Sequence, residues 1–180
     1  MENLFDLIAG LPIHPLVDHF VVTLVPLFAL MHILIVLKPK LKEKYGWVTV
    51  GGLAVALAAS AIAKSSGESL ALRVGFPADH AQQGEALVLV VIALFGGSAY
   101  WMVFTELFEA PTALLRKITP MIGKASILIA LGAIAITAVA GHSGAKAVWE
   151  SRIASASSSA TTTVKSNDQL LTASEVAKHS

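Results

Sequence analysis

The chain has no cysteine among its 180 residues. That excludes disulfides, thiolate metal sites, iron–sulfur clusters and thioether-attached haem within these residues. Charge is also scarce: Asp, Glu, Lys and Arg make up 14% of the chain, against 55% hydrophobic residues. A soluble domain carries about 25% charged residues, so this composition points to a membrane protein. The formal net charge is +1, and no basic stripe is present to hold nucleic acid. The first residues carry Glu2 and Asp6 and no Lys or Arg. A cleavable signal peptide opens on a basic stretch, so none is expected.

What the chain has in quantity is apolar length. A membrane helix needs about 20 residues, and four runs suffice. The first extends from about Pro15 to Leu37, with Pro26 expected to kink it, and stops at the basic run Lys38–Lys44. The second extends from about Gly46 to Lys64 and is rich in Ala, Gly and Val, which permits close helix approach. A polar turn is expected at Ser65-Ser66-Gly67-Glu68-Ser69, then a connector to Ala78. The third run starts near Asp79, a suitable N-cap, and ends before Pro111. The fourth covers about Pro120 to Trp149. The expected fold is therefore all-α, a four-transmembrane-helix bundle over residues 1–150. A Ser/Thr/Ala-rich linker follows at 151–170, then a short tail at 171–180.

Basic residues set the expected orientation. Lys38, Lys40, Lys42, Lys44, Arg116, Lys117 and Lys124 gather at the 1–2 and 3–4 connections. Cytoplasmic loops collect Lys and Arg, so both termini are expected on the extracytoplasmic side, in a bacterial inner membrane.

Alternate threading then brings His14, His19, His80 and His142 to one membrane face. Ionisable groups in membrane spans are costly and mark function by default. His14 and His19 are five residues apart, about 140° around a helix, so they are not expected to grip one ion together. His80 and Gly84 share a helix face, and Gly84 leaves room for a flat ligand or a close backbone. His142 sits among small residues in Gly141-His142-Ser143-Gly144. Asp18, Gln83 and Glu85 are candidates for orienting a ligand, handling protons or meeting a quinone. His32 lies about 27 Å along the first helix from His14, and is read as a histidine hydrogen-bonded within the bundle.

Haem b, one or two, suits this pattern better than zinc. A bundle can clasp a planar macrocycle between helices that each supply a histidine. Structural zinc usually wants four close ligands. The axial candidates are His19, His80, His14 and His142, with helix 1 paired to helix 3. The expected function is a membrane b-type cytochrome that transfers electrons, with the bilayer, a redox partner protein or larger complex, and a quinone as partners. Two other classes stay open. One is a non-catalytic anchor or assembly subunit of a respiratory or photosynthetic complex. The other is a membrane metal-handling protein.

Two resemblances add to this. The segments His14-Pro15 with His19-Phe20, His80, and Gly141-His142-Ser143-Gly144 leading to Val148-Trp149 resemble an uncharacterised four-helix membrane family, domain of unknown function 2231. That likeness spans about residues 10–150 and implies no settled activity. Members often carry a further histidine where this chain has Glu150-Ser151-Arg152. The tail Leu171–Ser180 resembles the opening strand and turn of a cytochrome b5-like haem domain. That resemblance implies a haem module tethered by the linker, with His179 structural and the haem ligands of that module beyond Ser180.

Overall fold

A computed structural model describes residues 7–8, 10–75, 78–108 and 112–178, with side-chain surroundings for 10–75, 78–108, 112–150 and 152–158. Two-residue strands β1 (Leu7–Ile8) and β2 (Leu11–Pro12) pair antiparallel, Leu7 opposite Pro12 and Ile8 opposite Leu11. Gly10 between them adopts φ +80°, a conformation that costs glycine little. This hairpin is absent from the sequence reading; it is too short to show an alternating pattern. Four helices follow: α1 (Ile13–Leu37), α2 (Pro39–Val74), α3 (Ala78–Glu106) and α4 (Ala113–Lys178). All four are long and apolar enough to cross a membrane, so the four-helix expectation holds.

Two compact units divide the chain, Met1–His142 and Ser143–Ser180. In the first, side-chain contacts fix the arrangement. His14 at the start of α1 meets Ala63 late in α2 and His80 at the start of α3, and His80 meets Ala140 late in α4. At the opposite end, Lys42 of α2 pairs with Glu106 of α3, and Trp101 of α3 lies against Gly123 of α4. The helices therefore alternate in direction, as short connections require. The His14–His80 end, which the basic loops lead one to expect outside, is the outer end, and the Lys42–Glu106 end the inner end.

Small residues set the packing. Along α2 the buried stripe is Gly46, Thr49, Gly52, Leu53, Ala56, Ala59, Ser60, Ala63 and Ser66. A methyl group on Gly52 would collide with the Phe28 ring, and one on Gly46 with the end of the Met102 side chain. Such close approach replaces the hydrophobic drive that lipid cannot supply. Val21, Val25, Leu53, Ala56, Leu87, Val91, Leu94, Ala130 and Ala133 fill the core. Leu27, Leu30, Val55, Leu89, Leu128 and Leu131 face outward, as suits contact with acyl chains.

The polar turn expected at 65–69 is helix instead, and α2 continues to Val74. Its hydroxyls explain why. Ser65, Ser66 and Ser69 donate to the carbonyls of Ala61, Ala63 and Ser65, and Lys64 pairs with Glu68 one turn on. The polar groups are satisfied by the helix itself, and the chain stops only at Gly75, with φ +98°. The fourth helix likewise begins seven residues before Pro120, at Ala113. Pro120 lies inside the helix, where it removes the bond residue 120 would donate to the Arg116 carbonyl, and the helix runs on through it.

Beyond the bundle, the backbone from Ser143 to Lys178 is helical. This stretch takes in residues 151–170, expected as a linker, and most of the tail for which the cytochrome b5 likeness implies a strand and turn. No Gly or Pro occurs between Ala145 and Ser180, so nothing in that stretch forces a break. His179 and Ser180 lie outside the described residues. Within this unit Lys146 reaches Glu150 and Arg152 lies over the Trp149 ring.

Candidate functional site at the outer end

His14 occupies the first turn of α1 and is half-buried. Its Nδ1 lies 2.9 Å from the Ala63 carbonyl oxygen. A carbonyl can only accept, so Nδ1–H is the donor, and in a neutral ring the lone pair is then on Nε2. The Ser66 hydroxyl donates to the same carbonyl at 3.0 Å. Gly67 gives the ring its place, since a methyl group there would stand 3.0 Å from His14 Cε1 and 3.1 Å from Nδ1.

His80 occupies the first turn of α3 and is also half-buried. Its Nδ1 lies 3.1 Å from the Ala140 carbonyl of α4. The same reasoning assigns Nδ1–H as donor and leaves the lone pair on Nε2. The two rings are 5.8 Å apart between centroids, inclined at 72°. Two helices thus present two imidazoles to each other. Each is locked in one tautomer by a carbonyl from a further helix. Ligating histidines usually have this second contact.

The other candidates stand differently. His19 is exposed, and its Nδ1–H donates to the Pro15 carbonyl one turn back. It is not beside His80; His14 is. His142 is exposed, two residues past the carbonyl that holds His80. Asp18 and Gln83 are half-buried. Glu85 is exposed, 4.0 Å from Lys64 Nζ, which is 2.8 Å from Glu68. A methyl group on Gly84 would meet no described atom within 4 Å. Of the two roles expected for Gly84, open space fits and a close backbone does not. Among the described residues no three His, Asp or Glu gather closely enough to hold an ion.

The sequence reading missed Ala63, Ser66, Gly67 and Ala140, which hold the two rings. The signal was present for α2. Its small residues at 52, 56, 59, 63 and 67 continue at helical spacing straight through the stretch taken as a turn.

His32 behaves as expected, within the bundle. It is fully buried, and its Nε2 lies 2.7 Å from Ser126 Oγ. Ser126 donates its own proton to the Gly123 carbonyl at 2.8 Å, so its oxygen accepts from His32 Nε2–H.

Fold and site together define a four-helix transmembrane bundle with a histidine pair at one end. The chain belongs to the family described as Predicted membrane protein (DUF2231), whose model matches residues 10–157. No curated protein and no solved structure matches it.

Proposed function

We propose that this protein is a membrane b-type cytochrome whose haem is held between His14 and His80. The facing of these two rings carries the reading. A haem iron takes four ligands from the macrocycle and asks the protein for only one or two axial groups. A structural zinc ion asks it for four. The described residues offer two histidines together and no group of three, which favours haem. The two ring centres are 5.8 Å apart, so His14 and His80 are the residues that would hold the group. The open space at Gly84 lies one turn from His80.

When bound, haem supplies one-electron chemistry. The chain's part is to hold and tune. The Ala63 and Ala140 carbonyls fix the ring orientations and raise the basicity of the ligating nitrogens. Val17 and Leu87 belong to the apolar layer below the pair, which keeps water from the membrane side of the site. Lys64, Glu68 and Glu85 form an exposed charged rim at the same end, where an acceptor or quinone head group would approach. The basic residues at the inner end orient the pair outward by the positive-inside rule.

A dithionite-reduced minus oxidised spectrum of the purified chain, with a pyridine haemochrome count, tests this. A b-type signal is expected, lost in His14→Ala and His80→Ala and kept in His19→Ala. A folded chain without haem, with or without bound zinc or copper, overturns it.

A further inference from the structure

The inner half of the bundle holds a second polar site, independent of the outer pair. The buried hydroxyl-bearing residues are Thr49, Ser60, Ser66, Ser98, Thr119, Ser126 and Thr137. Six of these donate to a carbonyl three or four residues back on their own helix. Ser98 does not. Its Oγ is buried without a hydrogen-bond partner, and the only other described side-chain atom in that state is His32 Nδ1. Both residues are 0% exposed.

The two residues that carry these atoms border the same part of α4. His32 Nε2–H donates to Ser126, which fixes the tautomer and leaves a lone pair on Nδ1. A methyl group on Gly97, next to Ser98, would lie 3.6 Å from Ser126 Cβ. One turn after Ser98, the Trp101 ring stands 6.1 Å from the His32 ring. His32 and Ser98 thus flank the same stretch of α4.

We infer that a single buried water molecule is bound between His32 Nδ1 and Ser98 Oγ. An unmet polar atom in an apolar interior costs several kcal/mol, and hydrocarbon outside the bundle has no group to offer. The guest must donate to the His32 lone pair and must also engage a hydroxyl. Water does both and is the smallest molecule that does. Buried waters characteristically occupy such positions between otherwise unsatisfied groups. Ser98 gives up the carbonyl bond that its neighbours make, and water at this point explains why.

The test is nitrogen-15 NMR of the histidine-labelled full chain in lipid nanodiscs. The wild-type spectrum decides alone. A His32 Nδ1 resonance displaced toward the hydrogen-bonded position, with a cross-peak to water, is expected. A resonance at the bare lone-pair position, without that cross-peak, overturns the inference. Ser98→Val fills the water's place with an apolar group. It is expected to abolish the cross-peak while the His32 Nε2–H signal, held by Ser126, persists. A cross-peak that survives Ser98→Val with that Nε2–H signal intact also overturns it.

Discussion

The two ends of the bundle use histidine in opposite ways. At the outer end, His14 and His80 are half-buried and spend Nδ1 on backbone carbonyls of other helices. In the proposed haem reading, their Nε2 atoms are the ligating ones. At the inner end, His32 is fully buried and spends Nε2 on a serine side chain. Its ring is wedged beside Trp101. A backbone carbonyl holds a ring without needing any particular side chain, so the outer pair can be positioned by Ala63 and Ala140. The inner contact depends on Ser126 and is specific to it. The outer arrangement suits a site that receives something, and the inner one suits helix register.

The largest effect that can break this contrast is cofactor loss. His80→Ala is expected to remove all haem from the purified chain, whereas His32→Leu is expected to leave the haem count unchanged. The pyridine haemochrome assay reads both. If His32→Leu also removes haem from a folded protein, the division between ends is wrong.

Next come the glycines. A methyl group on Gly123 would stand 2.6 Å from Trp101 Nε1, while one on Gly84 would meet nothing. Overpacking a filled core costs about 1–3 kcal/mol, so Gly123→Ala should lower the thermal midpoint clearly. Gly84→Ala should hold or raise it, since alanine is the better helix former by up to about 1 kcal/mol. Gly84→Leu sharpens the comparison further. It should leave the fold intact and reduce haem retention, because it fills the space beside His80.

A smaller effect is expected at Ser126. Ser126→Ala leaves His32 Nε2–H buried with no acceptor, which costs roughly 1–3 kcal/mol. Denaturation of the detergent-solubilised chain measures it, and His32→Leu in the same background should recover part of the loss. No recovery would mean that the two residues are not coupled.

How much of this was legible in the sequence differs between the ends as well. Apolar length gave the four helices, because only helices and closed barrels satisfy backbone groups in a bilayer and these runs are far longer than a barrel strand. The level of His14 and His80 followed from threading alone. The preference for His14 over His19 did not, since either could face α3 until the rotation of α1 was known. That rotation is set by the buried stripe Val21, Val25, Ala29 and His32, which places His19 outside. The α2 extension was hidden because Ser-Ser-Gly-Glu-Ser looks like a turn by composition. Only the tertiary contact of Gly67 with His14 gives that glycine a reason to sit in a helix. The pairing of His32 with Ser126 joins residues 94 apart, beyond the reach of any local pattern.

Gly67 is where the finest test lies. The methyl group of Gly67→Ala would approach His14 Cε1 to 3.0 Å, so the ring must give way by a few tenths of an ångström. That shift strains the Nδ1–H bond to Ala63 without removing it. Changing what orients a ligating histidine typically weakens metal binding by about 10–100-fold, and a partial disturbance should fall at or below the low end. Helix propensity favours alanine while the displaced ring opposes it, so the two effects offset each other when His14 is present. In a His14→Ala background the obstruction is gone, and Gly67→Ala should then be stabilising outright. Haem titration together with thermal midpoints of the four variants measures the coupling. If Gly67→Ala changes stability equally with and without His14, the glycine serves the helix alone and not the ring.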